Sequence, residues 1–365
     1  MVTRFKSVFL ITSLITLSVG CVSGSVKKVD VSNELPSDLP KDLKDRFEVK
    51  EGGQLDRGVT ATPSLTPIPS ASQSNRSGKK GKKKDPPTVA QPAFTYPVRR
   101  PETEPIWVGE KLVYSISYFG VSAGDFTLEV YPFKMLGDRK VYHLHGNAVS
   151  SAVFSLFYRL NDVVESFVDY EGLFSHRFHV VLDETKQKRD SLELYDSEKK
   201  QTYYWNRWHH KTNGYSETKE YKPIEPFSQD SMSALYFVRT LPLPTGSVVS
   251  FPVVSEGKSW EAVCTVLRRE MMDTPMGEVQ AIVIRPEMKY QGLLKKTGDS
   301  FLWLTDDSRR IPIRLEAKVK IGTVVAQLKR AELGTSPELL QNIPAIEPSP
   351  QPSTSPSGSA ENEKN

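Results

Sequence analysis

The hydrophobic pattern is clearest near the C-terminal end of the chain. From Ile311 to Lys320, the apolar positions Ile311, Ile313, Leu315, Ala317 and Val319 alternate with Arg314, Glu316, Lys318 and Lys320. That period of two marks an antiparallel strand with one buried face, and Pro312 is tolerated close to a strand's start. Upstream, Phe301 to Leu304 is apolar at every position, so its pattern does not say which face is buried. Asp306-Asp307-Ser308-Arg309-Arg310 reads as the turn between the two strands, and a third strand follows Gly322.

Similar patterns run through the middle of the chain. Leu112, Tyr114, Ile116 and Tyr118 alternate with Val113, Ser115 and Ser117. Gly120 to Gly124 turns into a strand carrying Phe126, Leu128 and Val130, and Gly137-Asp138-Arg139 turns again into Val141 to Ala148. Further strands are predicted over Asp162 to Asp169, Leu173 to Glu184, Arg189 to Tyr195 and Gln201 to His210; Asn213-Gly214 after the last is a hairpin signal. Ser151 to Tyr158 is apolar at mixed spacing and reads as a short helix or a bent strand. One helix stands out. Ser228 or Asp230 caps it, Met232, Leu235, Tyr236 and Val238 form its apolar stripe, and Pro242 and Pro244 stop it. Strands resume at Ser247 to Val254, Ser259 to Arg269 and Glu278 to Arg285. About a dozen strands joined by hairpins must curl or close to manage their edges. The expected fold is mainly β: one large antiparallel, strongly curved sheet or barrel with one or two short helices. Residues 301–328 are expected at its closing edge.

Composition adds the boundaries. The 26 prolines of the 365-residue chain concentrate up to Pro105 and after Ser336, in flanks rich in Ser, Thr and Lys that cannot bury a core. The expected organisation is a signal peptide (1–21), a disordered linker (22–104), a β-rich domain (105–334) and a disordered tail (335–365). Within the linker, Lys41 to Val49 has at most the makings of a transient helix. The net charge of +4 lies mostly in the flanks, leaving the folded part near neutral; that gives little support for nucleic-acid binding. Lys79-Lys80-Gly81-Lys82-Lys83-Lys84 is read as a solvated spacer, with contact to an anionic polymer or headgroups as the sharper alternative.

Arg4 and Lys6 followed by an uncharged run from Ser7 to Gly20 make a secretory leader. It ends Leu17-Ser18-Val19-Gly20-Cys21, which resembles a bacterial lipobox with its Leu one place early and Ser18 in that Leu's position. Cys21 is the expected lipidation site; ordinary cleavage near Gly24 is the alternative. Two or more acyl chains there give stable anchoring. Val22 follows the Cys where enterobacterial inner-membrane lipoproteins carry Asp, so the resemblance implies the periplasmic face of the outer membrane, with a soluble periplasmic protein as the alternative. The other cysteine, Cys264, reads as a small buried hydrophobe in a strand.

Several blocks together carry a family resemblance. They are Gly109-Glu110-Lys111-Leu112 with Tyr114, Gly120, Ala123-Gly124 and Leu128; Asp230-Ser231-Met232-Ser233-Ala234-Leu235-Tyr236 with Arg239 and Leu241; and Trp303-Leu304-Thr305-Asp306-Asp307 with Arg310-Ile311-Pro312 and Ile321-Gly322. In order and spacing they resemble the bacterial domain-of-unknown-function family 3108 over about Pro105 to Leu333. The resemblance implies an exported β-rich envelope protein without an established activity.

Candidate chemistry is sparse. His143 and His145 share a strand face, and a metal would need a third ligand from His176, His179, His209 or His210; no metal and no cofactor is expected. Tyr203, Tyr204, Trp205 and Trp208 beside Arg207, His209 and His210 read either as strand packing or as a stacking platform, and Tyr203, Trp205 and Trp208 are the candidate ligand-binding residues. Asp306, Asp307, Arg309 and Arg310 read as an exposed hairpin tip with self-compensating charges. No phosphate loop, nucleophile elbow or zinc-protease helix is present in the sequence, so no catalytic residue is assigned. The expected function is a non-enzymatic envelope lipoprotein that binds a lipid, glycan or other hydrophobic ligand. A structural or assembly factor contacting other envelope proteins is the alternative, and a hydrolase of envelope polymers ranks third.

Overall fold

The computed structural model describes residues 35–36, 38–52, 94–290, 293–294, 299–319 and 322–336. The leader with Cys21, the Lys79 to Lys84 run and the tail from 337 onward lie outside them. The elements in chain order are α1 (Lys41–Phe47), β1 (Val49–Glu51), β2 (Val108–Tyr118), β3 (Val121–Leu136), β4 (Arg139–Ser150), α2 (Ala152–Ser155), β5 (Asn161–Asp169), β6 (Ser175–Asp183), β7 (Gln187–Asp196), β8 (Gln201–His210), β9 (Gly214–Pro223), α3 (Ser233–Thr240), β10 (Val248–Ser255), β11 (Lys258–Thr274), β12 (Gly277–Tyr290), β13 (Leu293–Leu294), β14 (Ser300–Thr305), β15 (Pro312–Lys318) and β16 (Thr323–Thr335).

All the strands belong to one sheet, in the order β10-β11-β12-β14-β15-β16-β2-β3-β4-β5-β6-β7-β8-β9, with β1 paired to β3 and β13 to β12. Every pair along this order is antiparallel. The mainly β, strongly curved sheet expected from the sequence is what forms, and it stays open. Its two edges, β9 and β10, approach without a continuous ladder. The β10–β11 turn instead docks on β7–β9: Glu193 accepts the backbone N–H groups of Glu256 (3.0 Å) and Gly257 (2.9 Å), Tyr195 donates to the Val254 carbonyl (3.0 Å), and Ser259 donates to Pro223 O (3.3 Å). Burial pushes the Glu193 carboxyl up to about 7.

Residues 301–328 do not form a closing edge. β14–β16 lie inside the sheet, because β16 pairs with β2 and stitches the C-terminal strands to the first hairpin. The edge strand β9 has little hydrophobic alternation, and its Glu217, Lys219, Glu220 and Lys222 present charge at an open edge.

The main core lies on the inner face of the curl. Leu112, Tyr114, Leu128, Val130, Tyr142, Leu144, Ile284, Leu304, Ile313 and Leu328 are buried there with Met232, Tyr236, Phe237 and Val238 of α3. α3 therefore plugs the curl. Its cap is Asp230, whose carboxylate accepts from Met232 N and Ser233 N (both 2.7 Å) and from the hydroxyls of Ser166 (2.5 Å) and Ser175 (2.6 Å) on β5 and β6. That cap is also a tie to the sheet.

The charged segment after β14 is not an exposed tip. Arg309 is buried, and its guanidinium donates to Glu110 (2.6 Å) on β2 and to Pro105 O (3.1 Å). Arg239 of α3, fully buried, grips both Glu110 oxygens (2.7 Å each) and Pro105 O (2.7 Å). Arg310 donates to the Arg239 and Leu241 carbonyls, and Asp306 pairs with Arg269 (2.6 Å). Asp307 holds the turn by accepting from Arg309 N (2.9 Å) and Arg310 N (2.8 Å). Arg309 and Arg310 are spent on clamping α3 into the curl, while Asp306 and Asp307 hold the segment itself.

The reading of 22–104 as an unbroken disordered linker also needs correction. Leu39, just before α1, and Leu43 and Phe47 within it pack on Leu136, Val141, Phe167, Leu192, Leu194, Tyr203 and Trp205 of the outer face, a second core. β1 adds to the end of β3 through Val49↔Leu136 and Glu51↔Lys134. Further on, Phe94, Tyr96 and Phe174 cluster with Phe227, and Arg100 pairs with Glu104 (2.7 Å). Two apolar anchors spaced by four in a polar stretch are enough to dock one helical turn once a sheet face is there to receive it.

Candidate functional site

The aromatic cluster is split by strand geometry. Tyr203 and Trp205 lie two apart on the outer face of β8, buried under α1, while Trp208 lies on the opposite face, half-buried, with its indole N–H donating to Gln187 (2.9 Å). Trp205 is further occupied by Glu217, which accepts its N–H (2.7 Å), and by Lys219 over its ring (4.5 Å). The three residues form no joint platform, and the first two are covered.

The histidines are distributed among separate carboxylates. His143 and His145 do share the outer face, and the strand registers put His179 on that face as well. Yet His143 contacts Glu165 (3.1 Å), His145 lies near Glu129 (3.6 Å), His179 contacts Asp190 (2.8 Å) and His176 contacts Asp169 (2.9 Å). Tyr131 stacks on His145 (centroids 4.9 Å apart) and His143 on Phe167 (4.6 Å). Among the described residues no three His, Cys, Asp or Glu side chains converge as metal ligands would. His209 and His210 sit at the far end of β8. Cys264 is buried in the inner core, where burial pushes its thiol up to about 12.

What the sheet does leave open is the mouth of the curl at the β2–β3 turn. Around α3 the inner face is filled; the cavity beneath it, lined by Tyr142, Leu144, Tyr236 and Phe237, is only about 10 Å³, room for about one water molecule. Beyond Met232, which rests against Gly146, the inner face continues as an open apolar groove of about 50 Å³. Ile116, Ala123, Phe126, Ala148, Leu160 and Val324 line it. Long-range pairing brings these positions together: Ile116 faces Gly124, Phe126 faces Ala148, and Ala326 beside Val324 faces Ile116. A Cβ at Gly124 would collide with the Val149 carbonyl oxygen, so this floor needs glycine.

An exposed apolar rim surrounds the mouth. Phe119 (63 % exposed), Val121 (63 %), Val153 (69 %), Leu156 (81 %) and Phe157 (76 %) all present their side chains to solvent. Two turns build the rim. In one, Phe119 (φ +50°) and Gly120 (φ +74°) are both left-handed, the geometry of a two-residue type I′ hairpin. In the other, Ser151 caps α2 by accepting from Phe154 N (3.2 Å), and the Ser151 backbone N–H donates to Ala123 O (2.9 Å). That bond joins the two turns. The second is also tied below by Tyr158, which donates to Glu184. Glu184 lies beside Asp162, and both are buried; burial and the Glu184 charge push Asp162 up to about 8. The Ser151 to Tyr158 run was visible in the sequence as apolar. Its exposure, and the groove beside it, had no local signal.

The comparisons with known proteins add no activity. No curated protein matches the chain. Among solved structures it is similar to a β-barrel-like protein of domain of unknown function DUF1849 from Brucella abortus (10 % identity, TM-score 0.41, covering 62 % of this chain and 98 % of that one). It is also similar to a protein from Bacteroides fragilis described as exported, with a YmcC-like fold (10 % identity, TM-score 0.28, covering 64 % and 99 %). A third, described as a lipoprotein, is from Parabacteroides distasonis (9 % identity, TM-score 0.28, covering 66 % and 100 %). A sequence profile matches residues 113–329, from β2 through most of β16, and the chain belongs to the family that profile describes, the proteins of unknown function DUF3108.

Proposed function

We propose that this protein is a non-enzymatic binding protein of the cell envelope that takes one apolar chain of a lipid in the mouth of its curled sheet. The observation that carries this is the open groove, lined mainly by apolar side chains with Asp125 and Ser150 among them, and continuous with a rim of exposed apolar residues. A lipid fits it better than a glycan. The lining offers few hydrogen-bonding side chains, and the aromatic residues that would stack on a sugar, Tyr203 and Trp205, lie under α1. The leader and Cys21 support an exported, membrane-anchored protein.

Native mass spectrometry of protein purified from the envelope tests the reading. A lipid adduct is expected on the parent chain, and its loss is expected in Ala148→Trp, which fills the groove. A parent chain carrying no lipid refutes it. Palmitate labelling that persists in Cys21→Ala refutes the anchor. A second reading, an assembly factor with no small ligand, is favoured by one observation: α3 fills the interior and leaves no enclosed chamber. Retention of other envelope proteins by a lipid-free chain would support it.

A further inference from the structure

We propose that the rim of Phe119, Val121, Val153, Leu156 and Phe157 is a membrane-docking surface that enters the interfacial region of an anionic bilayer. An exposed apolar cluster of this kind marks an interaction site, and three features select a lipid surface as its occupant. The first is the absence of charge. Leu112 to Gly124 and Gly146 to Tyr158 contain no ionisable acid or base other than tyrosine, and the structure sets these two stretches side by side through Gly124↔Ser150 and the Ser151 N to Ala123 O bond.

The second is shape. The side chains stand on a tight hairpin and a one-turn helix and project into solvent, 63–81 % exposed. Protrusions with aliphatic and aromatic tips suit a deformable apolar medium, as interfacial membrane anchors show. A protein partner would need a pocket for each. Phe119 holds a left-handed backbone that ordinarily favours glycine, and its ring lies against Gly322. A large apolar residue kept in that conformation at a solvent-facing turn is a strained placement of the kind found at functional sites.

The third is the charge beside the rim. Immediately after Tyr158 comes Arg159, whose backbone bonds to Thr185 (2.8 Å); Lys211 N donates to Lys186 O (2.9 Å). This links the apolar segment to the β6–β7 and β8–β9 turns, placing Arg159, Lys186 and Lys211 in a basic row. Across the rim, Lys318 pairs in register with Thr323, next to Gly322. Of the nearby acids, Asp183 is engaged by Arg159 and Lys188 and Asp125 by Lys329, while Asp299 lies beside Lys318, whose backbone N–H its carbonyl accepts. Apolar tips with a cationic flank are the arrangement that binds anionic headgroups while burying side chains in the acyl boundary.

Depth of insertion can be read independently of any lipid anchor. In a full-length Cys21→Ala background, Leu156→Cys carries an environment-sensitive nitrobenzoxadiazole probe, and Met276→Cys at the β11–β12 turn carries it as a control; Cys264 is buried and escapes labelling. On mixed phosphatidylcholine–phosphatidylglycerol vesicles the probe at position 156 should shift to the blue and be quenched by nitroxide-bearing acyl chains, while the probe at 276 should do neither. Vesicle affinity should fall by more than about tenfold in Phe119→Ser combined with Val153→Ser, because each such side chain withdrawn from water is worth about a tenfold factor or more. Arg159→Glu with Lys211→Glu should weaken binding to anionic vesicles selectively. A probe at 156 that stays in water on protein-bearing vesicles overturns the proposal. So does a shift that appears only when another envelope protein is added. An equal response on pure phosphatidylcholine, unaffected by charge reversal, overturns the anionic assignment. Ala148→Trp should still dock, so failure of the groove and failure of the rim are told apart.

Discussion

Glu110 is a residue whose loss should cost this fold heavily. It is fully buried between two guanidiniums and receives three charge-assisted hydrogen bonds: Arg239 on each oxygen (2.7 Å) and Arg309 on one (2.6 Å). Glu110→Gln keeps the shape, removes the charge and turns an amide NH₂ toward cationic donors. Removing one partner of a buried ion pair costs about 3–5 kcal/mol, and three charge-assisted bonds at about 1.5–3 kcal/mol each set a ceiling that non-additivity keeps out of reach. Against a total stability of about 5–15 kcal/mol, the variant should be severely weakened. At about 2–4 °C per kcal/mol for a domain of this size, its Tm should fall by roughly 6–20 °C. Urea unfolding followed by circular dichroism at 25 °C gives the number directly. The companion variant Glu110→Leu, Arg239→Met, Arg309→Leu should recover much of the loss, because the cost lies in unpaired buried charge and not in lost attraction. A loss under about 1 kcal/mol in Glu110→Gln would mean that the two arginines are satisfied by the Pro105 and Arg309 carbonyls alone, and would refute the clamp as described.

Asp162 gives a pH-dependent test. Its folded pKa is raised to about 8 from 3.8, so the folded chain keeps a proton that the unfolded chain releases. That contribution is full below about pH 4 and is lost as pH rises through 8. Asp162→Asn should therefore gain stability relative to the parent by more than about 1 kcal/mol on going from pH 5 to pH 9, since one pKa unit is about 1.4 kcal/mol; the same difference at both values sinks the argument. Leu43→Asp should undock α1 locally, raising hydrogen exchange in β1 and shifting Trp205 emission to the red, with the main unfolding transition little changed. A fall of the global midpoint without that local change would show that α1 belongs to the same cooperative unit as the barrel-like core. Cys264 should react with thiol reagents only as fast as the domain opens, so its labelling rate should rise with denaturant; rapid labelling in native buffer contradicts the burial described here.

Much of the hairpin order was legible in local pattern: β2, β3 and β15 alternate, β14 is an unbroken apolar run, turn residues mark the hairpins between them, and Asp230 announces α3 with its stop at Pro242 and Pro244. β9 was missed because an edge strand exposed on nearly its whole length has no apolar face to repeat. The place of residues 301–328 inside the sheet depends on β16 finding β2, a pairing across more than half the folded chain that no local pattern encodes. Arg309 looked like surface charge because burial of an arginine is legible only beside its partner, here Glu110 some 199 residues away. The same holds for the candidate site. Its apolar letters at Ser151 to Tyr158 were visible, but the groove exists only where Ile116, Ala148 and Val324, from three strands, come together.

The docking of α1 also sets how far the domain can stand from an anchor. With 22–104 wholly free, an acyl group on Cys21 would hold the domain on a chain of some 80 residues. With Leu35 and the residues after it seated on the outer face, the span from Cys21 is 14 residues, at most about 50 Å when fully drawn out. Releasing α1 and β1 moves the next point of attachment to Phe94 and raises that limit to about 250 Å. Were the anchor at Cys21, the seating of α1 through buried Leu43 and Phe47 would stow about four-fifths of the available reach, and whatever competes for the patch around Trp205 would pay it out.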